Sequence, residues 1–156
     1  MTLLLSTYTN KLDKKGRISV PAPFRAALTT ENFAGIIAYG SFVNPCVEAC
    51  GMARIESLSA SIDELDPYSD ERNAFAAVIL GGSIQLPFDP EGRVTLPEEL
   101  ISLAVLSEQA CFVGKGATFE IWQPELLQQY LDTARNMAKD KRSLLRLQTP
   151  KNKQGE

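Results

Sequence analysis

The sequence predicts an α+β fold, mainly β, in which one small unit occurs twice. A nine-residue segment that begins at Asp13 recurs 76 residues later at Asp89. Short segments of alternating polar and apolar residues, typical of β-strands, flank both copies of that segment. Helical segments between the copies and after the second copy add a helical linker and a C-terminal helix.

The repeated segment has the form Asp-X-X-Gly-Arg followed by three alternating residues and a proline. Residues 13–21 and 89–97 share four identities and three conservative replacements, and only the two central turn positions differ. The likeness extends outward, since Leu12 matches Phe88 and Phe24 matches Leu100. A period this long indicates a duplicated small domain rather than a solenoid repeat.

Each copy of the segment predicts a tight turn between two strands, that is, a hairpin. Asp13 and Asp89 can accept hydrogen bonds from turn N–H groups, and Gly16 and Gly92 can adopt the positive φ that such turns require. Alternation then separates an inner face from an outer one. The outward residues expected on the first ribbon are Thr7, Thr9, Lys11, Arg17 and Ser19.

The remaining elements follow in the same order in both copies. Pro21 and Pro97 end the second strand and suit the start of short helices at about 22–28 and 98–105. Two more strands are expected in each copy. Their positions are about 34–39 with 46–50, and 110–114 with 117–122.

The linker is expected to contain two helices, at about 54–65 and 69–80, separated by a break at Asp66-Pro67. A final helix opens near Pro124 and runs towards Leu147, with an apolar stripe at helical spacing that includes Leu127 and Tyr130. The chain therefore divides into a first repeat, a helical linker, a second repeat, a C-terminal helix and a disordered tail. Their bounds are 5–51, 52–80, 81–123, 124–147 and 148–156.

The composition excludes most enzyme classes. The chain has no histidine, which removes the commonest general base and every His-based metal site. Cys46, Cys50 and Cys111 are too few for a disulfide framework, so we expect a reducing cytosol, and small buried apolar side chains rather than metal ligands. We expect no enzyme, no cofactor, no metal and no secretory or membrane segment.

The net charge of −3 conceals a separation of charge along the chain. Residues 1–28 carry +4, residues 29–133 carry −12 and residues 134–156 carry +5. A cationic first repeat is typical of a surface that contacts nucleic acid. A solvated helix face explains the basic C-terminal segment more simply.

The paired Asp-X-X-Gly-Arg turns, each followed by proline and a short helix, resemble the MraZ family of bacterial proteins. Glu120-Ile121-Trp122 and the order of repeat, linker, repeat and C-terminal helix support the resemblance. That family belongs to the AbrB/SpoVT/MazE swapped-hairpin superfamily. The resemblance implies a tandem AbrB/SpoVT-like swapped-hairpin barrel, a ring-like homo-oligomer, and a sequence-specific transcriptional regulator.

The resemblance further implies binding of double-stranded DNA at short direct repeats upstream of the protein's own division and cell-wall gene cluster, with repression the expected direction. It places the protein in the cytoplasm, associated with the nucleoid. The conserved Asp and Arg of the family's motif fall on Asp13, Arg17, Asp89 and Arg93, and its helix-start basic residue falls on Arg25.

A two-stranded ribbon fits the major groove of B-DNA. Arg17 is therefore the candidate for reading guanine, while Lys11, Lys14, Lys15 and Arg25 suit phosphates. The full set of expected DNA-binding residues is Arg17, Lys14, Lys15, Lys11, Arg25, Thr9 and Ser19.

The second copy is expected to be a poor DNA face, because Pro90 and Glu91 replace the two lysines. We expect Arg93 to pair with Asp89 or Glu91. An antitoxin-like protein-interaction module that also binds DNA is the alternative function, with the helix from Pro124 as its interaction segment.

Overall fold

The computed structural model describes residues 3–149, in which the two halves of the chain repeat one order of elements. The strands are β1 (Thr7–Lys11), β2 (Arg17–Ser19), β3 (Gly35–Gly40), β4 (Val47–Cys50), β5 (Ile84–Pro87), β6 (Arg93–Thr95), β7 (Gln109–Gly114) and β8 (Phe119–Trp122). The α-helices are α1 (Ala22–Leu28), α2 (Met52–Asp63), α3 (Asp70–Phe75), α4 (Glu98–Leu103) and α5 (Pro124–Asp140). A π-helical turn, Ala76–Leu80, continues α3, and a 3₁₀ turn, Arg142–Leu144, follows α5.

The strands form two antiparallel sheets. One is six-stranded, in the order β1-β7-β8-β4-β3-β5, and the other consists of β2 and β6. The strand pairs expected within each repeat are present as β3–β4 and β7–β8. The predicted α+β, mainly β fold class is therefore confirmed.

The hairpin expected within each copy is not formed. The two strands that flank each turn pair with other strands rather than with each other. β1 pairs with β7, and β2 pairs with β6 of the other repeat. Within the described chain β1 and β2 meet beside the turn at a single bridge, Leu12–Ile18. The exchange places Ile18 and Val94 opposite each other in a shared core, where each is about 1% exposed. Burial of both side chains favours the swapped pairing.

The inner face of the six-stranded sheet surrounds one apolar core, and the β2–β6 ribbon closes it. Phe24 of α1 lies at its centre and is fully buried. Its ring centroid is 5.6 Å from that of Tyr8, 5.1 Å from that of Phe119 and 6.5 Å from that of Phe112. The two repeats therefore share one core.

The outer face of the sheet is covered at two places. Ile62 of α2 and Ile79 of the π-helical turn pack on Tyr39 of β3. At the other place α5 packs on β7 and β8, where the ring of Tyr130 stacks on Trp122 at a centroid distance of 4.8 Å.

Glu120 of β8 is a buried carboxylate beneath α5, 3% exposed. It accepts hydrogen bonds from Trp122 Nε1 at 2.9 Å and from Lys115 Nζ at 3.3 Å. Burial of a charge is tolerated when it is paired in this way, so these contacts hold the start of the C-terminal helix in place.

Three helices differ from the sequence expectation. α5 ends at Asp140 rather than near Leu147, because every side chain from Arg135 to Thr149 is exposed and no packing within the described residues supports further turns. The second linker helix is α-helical to Phe75 and π-helical beyond it. α4 ends at Leu103, before Val105 adopts φ +55°.

The expected disordered tail, 148–156, lies outside the described residues from 150 onward. No helix among residues 3–149 combines the length and apolar character needed to cross a bilayer.

Candidate nucleic-acid interface

The first turn is organised by one carboxylate. Asp13 Oδ1 accepts hydrogen bonds from the backbone N–H of Lys15 at 3.0 Å and of Arg17 at 2.8 Å. Asp13 Oδ2 accepts from Arg17 Nε at 2.7 Å. Gly16 has φ +81°, a conformation in which a Cβ is strained. The Asp, Gly and Arg of the motif therefore fix the turn and the direction of the arginine together.

The second turn has the same geometry. Asp89 Oδ1 accepts from the backbone N–H of Glu91 and of Arg93, both at 2.9 Å, and Asp89 Oδ2 accepts from Arg93 Nε at 2.9 Å. Gly92 has φ +78°. The two copies are thus alike in backbone and in the Asp–Arg contact, and they differ in the two side chains between them.

Each turn docks against the other repeat. The backbone oxygen of Gly16 accepts from Leu96 N at 2.8 Å, and that of Gly92 accepts from Val20 N at 3.1 Å. A Cβ on Gly16 would lie 2.9 Å from Leu96 O, and one on Gly92 would lie 2.6 Å from Arg25 Nε. Both positions therefore favour glycine for its φ, and Gly16 also because a fixed backbone oxygen lies so close.

The β2–β6 ribbon presents four side chains outward, which we call the ribbon face: Arg17, Ser19, Arg93 and Thr95. Arg17 lies opposite Thr95 and Ser19 lies opposite Arg93, so the two arginines are diagonal neighbours from different repeats. The four alternate with the buried Ile18 and Val94. The pairing therefore unites the arginines of both motifs on one surface.

The charges on the ribbon face interact with one another. Backbone hydrogen bonds, from Arg17 above all, lower the pKa of Asp13, and the equivalent bonds from Arg93 lower the pKa of Asp89. The hydrogen bond to Asp89, reinforced by the charges of Asp89, Glu91 and Asp13, raises the pKa of the Arg93 guanidinium. Asp13, Asp89 and Arg93 are therefore charged at neutral pH.

The two arginines differ in what else they contact. Arg93 forms a second ion pair, Nη2 to Glu91 Oε2 at 2.7 Å. Arg17 forms one, through Nε, and within residues 3–149 no hydrogen bond or ion pair engages its Nη groups. Because a guanidinium has five N–H donors, four remain on the exposed end of Arg17. Arg17 is thus oriented by Asp13 and still able to donate.

The three expected lysines lie around the first turn. Lys14 and Lys15 are exposed at its tip, and Lys11 lines one cleft together with Lys14. The structure therefore brings Arg17 and these lysines together, with Ser19 two residues along β2. Only the first turn carries lysines at its tip, because Pro90 and Glu91 occupy the same two positions of the second turn.

Two expected residues lie elsewhere. Thr9 is on β1, where its Oγ1 lies 3.3 Å from Cys111 Sγ, on the sheet face that α5 covers. Arg25 is half-buried between the repeats, where its Nη1 donates to Val20 O and its side chain packs beside Gly92. Both therefore have structural contacts that the sequence did not indicate.

Sequence reasoning did not include Thr95 among the candidate residues, although it lies directly opposite Arg17 on the ribbon face. The repeat carries the signal, because Thr95 is the counterpart of Ser19 at the offset of 76 residues. That signal becomes useful only when β2 is known to pair with β6.

The cysteines are buried free thiols. Burial raises the pKa of the Cys46 and Cys50 thiols to about 12, so both are protonated at neutral pH. Across the described part of the chain no group of three His, Cys, Asp or Glu side chains is arranged to hold a metal ion. The thiols pack as apolar side chains, Cys46 and Cys111 beside Trp122.

Comparison with known proteins gives one family. Residues 3–43 and 79–147 match the family model described as "MraZ protein, putative antitoxin-like". The chain is 54% identical over 146 residues to the "Transcriptional regulator MraZ" of Rickettsia canadensis (strain McKiel), covering 94% of this chain and 98% of that protein. The proteins of the same name from Rickettsia felis and Rickettsia akari are 53% and 52% identical over the same shares of each chain. This chain therefore belongs to the MraZ family.

Proposed function

We propose that the protein is a sequence-specific DNA-binding transcriptional regulator and that the first-turn side of the ribbon face is its DNA contact. The observation that carries the proposal is Arg17, held at Nε by Asp13 and open at its Nη groups, beside exposed Lys14 and Lys15. A two-stranded antiparallel ribbon is one of the elements that fits the major groove of B-DNA. The name of the relatives, transcriptional regulator, supports the same function.

Arg17 reads guanine in this proposal. The Nη groups donate to O6 and N7 of one base, a contact worth about 1–3 kcal/mol of discrimination against other bases. Asp13 fixes the guanidinium before DNA arrives, so little side-chain freedom is lost on binding. Ser19 and Thr95, beside Arg17 on the same face, supply hydroxyl groups that can donate to or accept from base edges.

Lysines at the first turn contact phosphates. Lys14, Lys15 and Lys11 provide point charges around the ribbon end, and such contacts position a protein on DNA without selecting sequence. Each neutralised phosphate releases counterions, which makes the affinity depend on salt. Arg25 adds a smaller contribution to the same electrostatic attraction, because its guanidinium already holds Val20 O.

The second turn contributes little to affinity. Glu91 occupies one Nη group of Arg93 and brings a negative charge to the turn tip. A negative tip is repelled by phosphate. Arg93 in this proposal supports the ribbon and lies beside the base-reading arginine rather than replacing it.

One cationic turn per chain is too little for tight binding, so several copies act together. We propose a ring-like homo-oligomer whose first turns contact successive direct repeats upstream of the protein's own division and cell-wall gene cluster. Linked binding of this kind multiplies affinity without any new contact. Occupying DNA upstream of a gene cluster favours repression, and this function places the protein in the cytoplasm at the nucleoid.

The test is DNA binding by the full chain at several salt concentrations. The probes are a duplex from the region upstream of the protein's own coding sequence and a scrambled duplex of the same composition. We expect tighter binding to the upstream duplex and a steep loss of affinity for both as salt rises. Equal affinity for the two duplexes, or affinity that does not change with salt, would contradict the proposal.

An antitoxin-like interaction module is the second candidate, and the exposed end of α5 favours it. Met137 is 59% exposed and Leu144 is 79% exposed, so this segment is open to another protein. The matched family's description also contains the term antitoxin-like. Purification from the native cell distinguishes the two, since the antitoxin function requires a stoichiometric foreign protein on α5 that survives removal of DNA.

A further inference from the structure

An apolar stripe runs from the end of α5 into the residues that follow it, and no other part of residues 3–149 covers it. α5 packs on the sheet through Leu127 and Tyr130, in its first two turns. The stripe continues at helical spacing to Met137 and then to Leu144 and Leu145 in the turn that follows. These three side chains are 59%, 79% and 85% exposed and line one shallow cleft. We call Met137, Leu144 and Leu145 the tail face.

The tail face is surrounded by cations. Five basic side chains lie between Ala134 and Leu147, against the single acid Asp140: Arg135, Lys139, Lys141, Arg142 and Arg146. All five are exposed. Within residues 3–149 none of them takes part in an ion pair. An exposed helix that is apolar on one side and basic around it suits an acidic surface with an apolar centre.

The linker side of the molecule offers such a surface. Phe42, which follows β3, lies beside Phe75 of the linker with the two ring centroids 6.2 Å apart, and Val43 and Val78 lie one and three residues further along the chain. The four side chains are 56%, 74%, 38% and 42% exposed. We call them the linker patch. Exposed apolar side chains gathered in one place mark interaction sites.

The linker that carries Phe75 and Val78 is acidic. Glu71 lies four residues before Phe75 and seven before Val78, which puts it on the same side of the helix. The linker as a whole carries six exposed acids, Glu56, Asp63, Glu64, Asp66, Asp70 and Glu71. Of these, within the described chain, Asp63 is paired with an arginine, Arg72, at 3.0 Å. The linker patch therefore complements the tail face in charge and in apolar character.

We propose that the tail face of one copy docks on the linker patch of a second copy, and that this head-to-tail contact builds the oligomer. The inference rests on the proposed function for the existence of an oligomer and adds the two surfaces that join its subunits. The occupant is a second copy because the complementary surface is present on the same chain. In its own chain α5 rests on β7 and β8, the linker rests on β3, and the tail face remains exposed.

A contact between two different surfaces has a consequence for assembly. Each subunit uses its tail face on one neighbour and its linker patch on the other, so the contact repeats. Such heterologous contacts close into rings when the rotation between subunits permits, and otherwise form open chains. The ion pairs around the apolar centre make the assembly weaken as salt rises.

The experiment measures the mass of the full chain in solution by light scattering during gel filtration. The tail variant is Met137→Ser with Leu144→Ser, and the linker variant is Phe75→Ser with Val78→Ser. Val105→Ser removes an exposed apolar side chain outside both surfaces and is the control. We expect the control to keep the wild-type mass and each variant alone to be monomeric, with at least a tenfold rise in the dissociation concentration.

Mixing the two variants is the decisive step. The tail variant has an intact linker patch and the linker variant an intact tail face, so an equimolar mixture should form a 1:1 dimer and nothing larger. Wild-type mass for both variants, or an effect in one variant alone, would overturn the pairing. The charge reversals Glu71→Lys and Arg142→Glu, which change exposed side chains without touching the core, test the same contact if a serine variant fails to fold.

The same samples separate this inference from the proposed function. If the variants keep the wild-type mass and still bind DNA with the expected selectivity, the interface is wrong and the DNA function stands. If the tail variant keeps its mass but loses DNA affinity, the tail is a DNA contact and the interface is again wrong. A foreign protein bound at the tail face in place of a second copy would likewise overturn it.

Discussion

The two Asp-X-X-Gly-Arg turns share one backbone and differ in charge. In both, an aspartate accepts from two backbone N–H groups and from the arginine Nε, and a glycine with φ near +80° closes the turn. Lys14 and Lys15 lie at the tip of the first, whereas Pro90 and Glu91 lie at the tip of the second. Arg93 is consequently held by two carboxylates and Arg17 by one.

This difference separates what the fold needs from what DNA binding needs. The shared residues, Asp, Gly and Arg, build the ribbon and bury Ile18 against Val94, so both repeats must keep them. At the two tip positions the turn uses only a backbone N–H, that of Lys15 or of Glu91, and the exposed side chains are free to differ. We infer that the second turn completes the structure while the first also serves the function.

The largest expected effect comes from removing the arginines one at a time. Arg17→Ala should lose about 1–3 kcal/mol of discrimination between the upstream and the scrambled duplex, because the bidentate guanine contact disappears. Arg93→Ala should lose less than half as much. Competition measured by fluorescence anisotropy gives both values, and equal losses would show that the turns are functionally equivalent.

Glycine replacements test the shared backbone instead. Gly16→Ala should lower the free energy of unfolding by more than the roughly 1–2 kcal/mol of an ordinary left-handed residue, because its Cβ would also lie 2.9 Å from Leu96 O. Gly92→Ala should cost less, since the side chain of Arg25 can move away. Gly116, with φ +87° and no atom within 4 Å of its Cβ, supplies the control for φ alone.

Chemical denaturation of the three alanine variants ranks these costs. The expected order, from most to least destabilised, is Gly16, Gly92 and Gly116. A Gly116 variant as unstable as the Gly16 variant would show that φ alone, rather than contact between the repeats, sets the cost.

Removing the two lysine charges at the tip of the first turn should weaken DNA binding without affecting the selectivity between the two duplexes. In a Lys14→Ala and Lys15→Ala protein, affinity for both duplexes should fall by the same factor. The slope of log affinity against log salt should become shallower by about 0.9 for each phosphate that the variant no longer neutralises. Arg54→Ala, an exposed arginine in α2, is the control and should leave the slope unchanged; a change in selectivity would contradict the phosphate role.

The smallest expected effect is a rise in DNA affinity when the tip of the second turn loses its negative charge. Glu91→Gln removes the second ion pair of Arg93 and one negative charge near the DNA. Affinity for both duplexes should rise by less than about fivefold, because exposed ion pairs are weak. Pro90→Ala leaves the charge unchanged and serves as the control, and a loss of affinity on Glu91→Gln would show that Arg93 needs that partner.

The sequence was sufficient to predict the turns because their geometry is local. An aspartate four residues before an arginine, with a glycine between them, determines the hydrogen bonds of each turn within five residues. The fold class followed from alternation and from the repeat for the same reason. The expected ion pair of Arg93 also involves neighbours only two and four residues away.

The choice of strand partner could not be predicted in this way. The paired residues of β2 and β6 are 74 to 78 positions apart in the chain, and their pairing depends on how much apolar area each arrangement buries. That pairing places Arg93 and Thr95 beside Arg17, and it explains why Arg25 packs against Gly92 and Thr9 against Cys111. The sequence predicts a longer α5 than the structure has, because helical spacing continues beyond Asp140 although packing on the sheet ends before that residue.

The central claim is that charge at the turn tip, and not the repeat itself, decides which arginine reads DNA. The direct test exchanges the tips in one protein, Lys14→Pro, Lys15→Glu, Pro90→Lys and Glu91→Lys, which leaves the net charge and both turn motifs unchanged. Anisotropy on the upstream duplex should then show that Arg93→Ala abolishes selective binding and Arg17→Ala does not. Selectivity that still depends on Arg17, or an exchanged protein that no longer binds DNA, would contradict the claim.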